Sequence, residues 1–165
     1  MNRVLELIKL IEKNPTIKYN EIMRETGLKN GTLSYHLKKL EENGNVKVKR
    51  NLGETRFYPL YMTEDEYIII KSLRQETPRR ILLALLCDEK LSFAEIVKRA
   101  NKSQSTISIY LSKLIENKIV EANLVDLKKM YHIKNSVMVR EIIQKYNPLL
   151  LERIAYNFAD TFSNL

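Results

Sequence analysis

The side chains best suited to chemistry lie between Asn30 and Arg56, and they offer hydrogen bonding and charge neutralisation. Hydroxyl, phenol and ammonium groups recur at positions 32, 34, 35, 38 and 39, and a basic stretch follows where lysine alternates with valine before Arg50. No nucleophile stands beside a base in this segment. Donors and cations in this pattern are suited to binding an anionic surface rather than to breaking bonds.

The remaining chemistry-bearing residues exclude most catalytic and cofactor-dependent classes. His36 and His132 stand 96 residues apart without a cysteine pair nearby, so no zinc-type ligand spacing exists. The four glycines form neither a GxGxxG motif nor a phosphate loop. The single cysteine, Cys87, cannot form an intramolecular disulfide, and its place in the apolar run 81–87 predicts a buried thiol. We expect no enzyme activity, no cofactor and no bound metal.

Composition places the chain among basic soluble proteins. It has 165 residues, with 28 Lys and Arg against 20 Asp and Glu, for a net charge of +8. The apolar run 81–87 is far shorter than the ~20 residues of a membrane helix. The N-terminus interleaves charged and apolar residues, unlike the uninterrupted apolar region of a signal peptide. We expect a cytoplasmic protein with a polyanionic partner and no membrane contact.

The sequence repeats itself at an offset of 74 residues. Positions 21–24 align with positions 95–98, and eight of the fifteen positions in 32–46 are identical in the second copy. The register holds without a gap from position 7 to position 57 of the first copy. We infer a duplicated unit of about 60 residues.

The positive charge follows the repeats. Residues 1–62 and residues 79–134 each carry a net charge of +5, whereas the segment 63–78 carries −2 and the tail 135–165 is neutral. The excess charge therefore belongs to the two units rather than to a linker or a tail, which predicts two similar modules that face a polyanion.

Periodicity predicts three helices and a β-hairpin in the first unit. Asn14-Pro15 ends the first helix, and Gly27 ends the second. The predicted elements are helices over 2–13, over 19–25 and from Asn30 or Thr32 to Asn43, then strands from Val46 and from Thr55 across a turn at 51–53. Three helices followed by a hairpin, with a tight turn before the third helix, form a winged helix-turn-helix fold.

The second unit repeats this pattern, with segments between and after the units. Thr63 and Glu66 stand at capping-box spacing, which predicts a connecting helix over 63–77. The other predicted elements are helices at 79–88, 92–100, 103–117 and 136–146, a hairpin at 119–133, and a last helix that starts at Asn147-Pro148. The predicted fold is mainly α with small β-hairpin wings. Its parts are winged helix-turn-helix domains at 1–62 and 79–134, a connecting segment at 63–78, and a C-terminal helical segment at 135–165 for packing or dimerisation.

The third helix and the hairpin of the first unit carry a family resemblance. Residues 31–44 are GTLSYHLKKLEENG, and GETRFYP follows at 53–59. The Thr-x-Ser-x-His-Leu-x-x-Leu pattern resembles the recognition helix of archaeal winged helix-turn-helix transcriptional regulators related to the ArsR and MarR groups. The tandem arrangement is similar to archaeal regulators with two winged helices, among them archaellum-gene regulators. The resemblance implies a DNA-binding regulator that is often dimeric. The metal-binding cysteines of some ArsR members have no counterpart here.

A recognition helix buries one stripe and presents the other to the major groove of DNA. With Leu33, Leu37 and Leu40 facing inward, the opposite face of that helix and the basic hairpin supply the candidate contacts. In the first unit these are Asn30, Thr32, Ser34, Tyr35, His36, Lys38, Lys39, Lys47, Lys49, Arg50 and Arg56. The hairpin cations are suited to flanking phosphates or to a narrow minor groove.

The second unit has a weaker set of candidate contacts. Tyr35 is replaced by Ile109 and Lys38 by Ser112, and the hairpin is acidic and apolar before its two lysines. The candidates are Gln104, Ser105, Thr106, Ser108, Lys128 and Lys129. Exposed apolar residues at 109, 124 and 127 are equally suited to a protein partner.

Two hypotheses of different classes remain. The first is a sequence-specific regulator of transcription that binds double-stranded DNA as a homodimer. The alternative is an adaptor that docks winged-helix domains on proteins of the transcription machinery. RNA binding is less favoured, because the hairpins lack closely spaced aromatic residues for stacking on unpaired bases.

Overall fold

The structure, a computed structural model, describes residues 2–146, and the chain divides into two compact units, Met1–Tyr67 and Ile68–Leu165. The helix predicted from Asn147 lies outside the described residues. Unit 1 contains α1 (Arg3–Lys13), β1 (Ile17–Lys18), α2 (Tyr19–Thr26), α3 (Asn30–Glu42), β2 (Val46–Asn51) and β3 (Glu54–Pro59). Helix α4 (Glu64–Arg74) begins in unit 1 and contains the division.

Local signals set the ends of the unit 1 helices. Asn2 begins α1 by accepting a hydrogen bond at its side-chain oxygen from the Val4 amide, at 3.0 Å. Gly27 ends α2 in the left-handed conformation at φ 67°, which glycine adopts without steric cost. The predicted capping box of α4 is confirmed, because the Glu66 amide donates to Thr63 Oγ1 and the Thr63 amide donates to the Glu66 carboxylate.

One apolar cluster holds unit 1 together. It joins the inward stripes of the three helices to one face of a sheet with strand order β1-β3-β2, both pairings antiparallel. The buried members are Leu7, Ile11, Ile17, Ile22, Leu33, Leu37, Leu40, Val46 and Phe57. Fully burying a side chain of this size contributes about 1.5–3 kcal/mol, so this cluster fixes α1, α2 and α3 against the sheet.

A second buried layer covers the opposite face of the same sheet. Tyr58 of β3 packs against Tyr67 of α4 with ring centroids 4.6 Å apart, and Met62 is buried beside them. The Tyr67 hydroxyl is buried and has no hydrogen-bond partner among the described residues. Burial raises the pKa of Tyr67 to about 12, because the phenolate would lose its hydration.

Arg56, which the sequence predicts as a DNA contact of the wing, is buried in this second layer. Its side chain is only 3% exposed. The guanidinium donates to the Thr16 carbonyl at 2.8 Å and to both oxygens of the Glu54 carboxylate. Arg56 lies on the face of β3 opposite to Phe57, and this face is itself covered, so Arg56 serves as a buried crosslink.

Unit 2 repeats the architecture. It contains α5 (Glu76–Cys87), β4 (Leu91–Ser92), α6 (Phe93–Ala100), α7 (Gln104–Glu116), β5 (Val120–Val125), β6 (Lys128–Ile133) and α8 (Ser136–Lys145). Its sheet has the order β4-β6-β5. The pair Leu91 and Tyr131 stands where unit 1 has Ile17 and Phe57, so the offset of 74 residues survives in the strand register. The predicted helix over 136–146 is confirmed, with Val139 and Ile142 buried.

Two predictions about the middle of the chain are wrong. The connecting helix ends at Arg74 rather than at residue 77, and a new helix starts at Glu76. Pro78 explains the break, because its ring would clash with the carbonyl of Arg74 in a continuous helix. Cys87 is exposed rather than buried, since α5 ends there and turns this residue outward.

The buried crosslink predicts an unequal effect of two arginine substitutions. Arg56→Met, which installs the residue found at the equivalent position 130, removes the donor to the buried Thr16 carbonyl and the buried cation that pairs with Glu54. We expect a loss of about 2–3 kcal/mol in the free energy of unfolding. Arg50→Met, at an exposed ion pair, costs less than about 1 kcal/mol. Urea denaturation of both variants measures the difference, and equal losses would contradict the buried role of Arg56.

The unpartnered hydroxyl of Tyr67 predicts that Tyr67→Phe stabilises the protein by about 1 kcal/mol at neutral pH. The pKa of Tyr67 is raised in the folded state. The contribution of Tyr67 to the free energy of unfolding is therefore complete below its pKa in the unfolded state, near 10, and is lost as the pH rises towards 12. The advantage of the phenylalanine variant therefore grows between pH 9 and pH 11. Denaturant midpoints across that range test this, and a constant difference would contradict it.

Candidate nucleic-acid interface

Helix α3 presents a polar face because its other face is fixed in the core. Leu33, Leu37 and Leu40 recur at helical spacing and are buried. This orientation exposes five of the predicted contacts on the opposite side, namely Thr32, Ser34, Tyr35, Lys38 and Lys39. The structure therefore places these five predicted contacts on one exposed surface, which we call the α3 face.

An aromatic and cationic cluster stands at the centre of the α3 face. Tyr35 is 60% exposed, and its ring meets His36 edge-on, with centroids 5.5 Å apart and planes at 72°. The Lys39 ammonium lies 5.7 Å from the centroid of the Tyr35 ring. These neighbours restrict the orientation of the phenol, and His36 is half-buried beside it. The cluster combines an apolar ring, a hydroxyl and a positive charge in one place.

The N-terminus of α3 adds a second feature. Asn30 is tied to α2, because the Tyr19 hydroxyl donates to its side-chain oxygen at 2.6 Å. The preceding residue, Lys29, makes no side-chain cap to the helix and is exposed. Uncapped amides at the positive end of a helix dipole favour an anion. Lys29 is not among the contacts predicted from the sequence, although it directly precedes the predicted start of the helix.

The wing of unit 1, formed by β2 and β3, carries cations that are engaged within the protein. Lys47 donates to the Met62 carbonyl at 3.3 Å. Lys49 pairs with the Glu64 carboxylate and lies 4.7 Å from the centroid of the Tyr67 ring. Both lysines stand on the sheet face that meets the start of α4.

Arg50 bridges the wing to α3. Its guanidinium donates to both oxygens of Glu41, at 2.8 and 2.6 Å. These hydrogen bonds lower the pKa of Glu41 and raise that of Arg50. Arg50 and Lys47 are exposed, whereas Arg56 is withdrawn from the surface by its buried contacts. The wing therefore offers less uncompensated charge than its sequence suggests.

The corresponding surface of unit 2 is polar at its start and apolar beyond. In α7, Gln104, Ser105 and Ser108 are exposed, while Thr106 is half-buried and both its amide and its hydroxyl contact the capping residue Ser103. The exposed Ile109 stands where α3 has Tyr35. Lys128 and Lys129 are exposed in β6, and the Lys129 ammonium lies 5.6 Å from the Tyr131 ring centroid.

Residues 2–146 contain neither a candidate membrane span nor a candidate metal site. No helix in this part of the chain has both the length and the apolar character that crossing a membrane requires. Within the same residues, no group of three or more His, Cys, Asp and Glu side chains is placed to hold a metal ion.

Comparisons with known proteins match both units. Residues 3–47 match the family model for winged helix-turn-helix DNA-binding domains, and residues 77–122 match the model for bacterial regulatory proteins of the arsR family. No curated protein matches the chain.

Two solved structures contain chains similar to this one. HlyU from Vibrio cholerae N16961 has a TM-score of 0.42 and 24% sequence identity, over 52% of this chain and 98% of its own. The second is a structure of Bordetella bronchiseptica BpsR, which concerns the regulation of its DNA binding by 6-hydroxynicotinic acid. It has a TM-score of 0.41 and 18% identity, over 61% of this chain and 73% of its own.

The family matches coincide with the two repeated units. The first match spans α1 to the start of β2, and the second spans α5 into β5, so each includes the helix-turn-helix of its unit. The chain therefore carries two winged helix-turn-helix domains in tandem, of which the second matches the arsR family model.

Proposed function

We propose that this protein is a sequence-specific regulator of transcription that inserts α3 into the major groove of double-stranded DNA. The observation that carries the proposal is the exposed α3 face, which lies on the third helix of a domain that matches the DNA-binding family model. A major groove admits one α-helix, and its base edges offer acceptors, donors and the thymine methyl group. In this proposal the protein acts in the cytoplasm as a homodimer on paired half-sites.

Side chains of the α3 face have distinct roles in this arrangement. The Tyr35 ring contacts a thymine methyl group and its hydroxyl reaches a base edge or a phosphate, with Lys39 and His36 holding the ring in place. Lys38 neutralises a phosphate. Thr32 and Ser34 are small enough to approach the backbone, and Asn30 positions the start of the helix near a phosphate.

The wing contributes phosphate contacts that compete with internal carboxylates. Arg50 and Lys49 each hold a carboxylate in the free protein, from Glu41 and Glu64 respectively. Binding a phosphate requires these cations to exchange partners or to share them. Lys47 follows the same path along β2. The wing therefore adds affinity that depends on the state of two acidic residues.

Unit 2 supplies a secondary contact in this proposal. Gln104 has the amide that pairs with an adenine edge, and Ser105, Thr106 and Ser108 are small polar neighbours on the same helix. Lys128 and Lys129 neutralise phosphates from the hairpin. The apolar residues around them make this surface a poorer DNA reader than the α3 face.

A second candidate function is protein docking to the transcription machinery. One observation favours it in unit 2, where Ile109 and Leu124 are exposed in place of Tyr35 and Arg50 of unit 1. Leu127, in place of Gly53, is exposed as well. An adaptor would show no gel shift with genomic DNA fragments at low salt, and it would retain a defined protein partner. A regulator shows the reverse.

Swapping unit 2 residues into the α3 face separates affinity from specificity. Lys38→Ser should weaken binding to all sequences and reduce the log–log salt slope by about 0.9, because one phosphate contact is lost. Tyr35→Ile should weaken the selected site more than random DNA, by about 1–3 kcal/mol. Fluorescence anisotropy over a salt series measures both effects. Lys9→Ser, on the exposed side of α1, removes the same charge and is the control for Lys38→Ser. An equal loss of DNA binding in Lys9→Ser would contradict the assignment of Lys38 to the interface.

Releasing Arg50 should strengthen DNA binding. Glu41→Gln removes the carboxylate that neutralises this arginine, so we expect tighter binding to every sequence and a salt slope steeper by about 0.9. Glu12→Gln changes the net charge equally on the exposed side of α1 and serves as the control. If the two variants bind alike, the gain comes from net charge alone and Arg50 lies outside the interface.

A further inference from the structure

The two wings expose edge strands with different protection. β2 lies at the edge of its sheet in unit 1, and β5 lies at the equivalent edge in unit 2. One side of each strand therefore carries backbone amides and carbonyls with no strand partner among the described residues. Such edges recruit other strands unless charges or a covering segment block them.

Cations block the edge in unit 1. The strand VKVKRN contains Lys47, Lys49 and Arg50 within six residues. A two-fold antiparallel pairing of β2 with a second copy would set a lysine opposite another lysine, whether the axis passes through residue 48 or residue 49. Directly opposed like charges destabilise a strand pair.

The edge in unit 2 lacks this protection. The strand VEANLV carries one charge, Glu121, and its carboxylate contacts His132 Nε2 of the neighbouring strand at 3.1 Å. The offset of 74 residues also converts the Arg50–Glu41 ion pair into Leu124 and Ile115. Leu124 is 76% exposed, and Ile115 is exposed as well. The same backbone thus carries an apolar surface beside an open edge.

The hairpin tip of unit 2 extends this apolar surface at a cost. Asp126 and Leu127 both have positive φ, at 50° and 67°, as a tight two-residue hairpin turn requires. Unit 1 places Gly53 where unit 2 has Leu127, and glycine adopts that conformation without penalty. A leucine that is strained and 96% exposed brings no benefit to the free unit. Contact between Leu127 and a partner would provide a benefit that offsets the strain.

We propose that β5 pairs antiparallel with β5 of a second copy of this chain and joins the two unit 2 sheets into one. The hairpin turn makes Val125 and Lys128 a hydrogen-bonded pair, so the amides of Ala122 and Leu124 point to the open edge. A two-fold axis at Asn123 then pairs Ala122 of each copy with Leu124 of the other. In this register the two Glu121 residues lie about 14 Å apart along the strands, beyond the screening length at physiological salt.

The strand that pairs with β5 belongs to a second copy of this chain, because the edge of β5 can pair with an identical edge. A two-fold interface must be self-complementary, and this strand is uncharged except at Glu121. Paired six-residue strands alone form a contact smaller than the ~1,200 Å² of a stable interface, so we expect a concentration-dependent dimer. The inference deepens the homodimer of the proposed function, but it is tested without DNA, so either can fail alone.

The first test introduces into unit 2 the ion pair that unit 1 has beside its edge strand. Leu124→Arg combined with Ile115→Glu recreates the Arg50–Glu41 pair at the equivalent positions, on a backbone that already accommodates it. Sedimentation velocity of the full chain over a concentration series should show dimer formation in the parent and a shift of at least tenfold towards monomer in the double variant. Leu52→Ser, which removes the fully exposed leucine of the other wing tip, should leave the series unchanged.

The second test reports the register and does not depend on dissociation. Non-hydrogen-bonded antiparallel pairs bring Cα atoms to ~4.5 Å, within the range that a disulfide spans. In a Cys87→Ser background, which removes the exposed native thiol, Asn123→Cys should form a covalent dimer on mild oxidation. Lys49→Cys, the equivalent position in unit 1, should remain uncrosslinked.

A third variant uses the strained turn. Leu127→Gly relieves the left-handed conformation and should raise the denaturant midpoint while it weakens the dimer. A higher midpoint with unchanged dimerisation would show that Leu127 lies outside the interface.

Three outcomes overturn the proposal. The parent chain remains monomeric at all concentrations, as expected if a different protein occupies this edge. Alternatively, the double variant dimerises like the parent, which places the interface elsewhere in the chain. In the third outcome, the cysteines at 123 and 49 crosslink equally, so the edge has no preferred register. If the double variant does not fold, the crosslinking result decides alone.

Discussion

The rotation of α3 about its own axis is the constraint from which the candidate site follows. Leu33, Leu37 and Leu40 can be buried together in only one orientation of the helix, and burial of each contributes about 1.5–3 kcal/mol. Every other side chain of α3 then has its direction fixed. Tyr35 and Lys38 are exposed because the leucines are not, and no specific interaction of their own is needed to hold them outward.

The sheet of unit 1 makes a second constraint, because both of its faces are covered. The inner face belongs to the helical core, and the outer face is closed by Tyr58, Met62 and Tyr67. Wing side chains on the outer face, which would be exposed to solvent if that face were open, therefore contact residues at the start of α4. Arg56 is buried and does not contribute to the surface, and Lys49 pairs with Glu64. The charge that the wing presents is set by these internal partners as much as by its lysines.

Duplication has kept the backbone and changed the chemistry of its surfaces. The strand registers of the two units agree residue for residue at the offset of 74, and the buried positions of α3 and α7 agree too. Where unit 1 has Tyr35 and Arg50, unit 2 has Ile109 and Leu124. A buried stripe tolerates few substitutions because it must fill one core, whereas exposed positions change at little cost to stability. This freedom allows one fold to carry a polar surface in one copy and an apolar surface in the other.

Within residues 2–146, the helices and hairpins were predictable because each depends on local pattern, and the structure places them within a few residues. The two-residue strands β1 and β4 were not predicted, since nothing in Ile17-Lys18 or Leu91-Ser92 distinguishes a third strand from a loop. They exist because β3 and β6 offer them a partner far along the chain. The end of α4 at Arg74 was predictable from Pro78, whose effect reaches four residues back.

The sequence alone determined the repeat, the element types, the buried stripe of the third helix and therefore the α3 face. Period and spacing encode these features, and such local information needs no fold to be interpreted. Only the tertiary structure decided which cations are available, because burial and pairing depend on residues distant in sequence. Arg56 meets Thr16 across forty residues, and Lys49 meets Glu64 across fifteen. The sequence does not distinguish a lysine or an arginine that faces water from one that pairs with a carboxylate. Only the fold sets which environment each of these residues has.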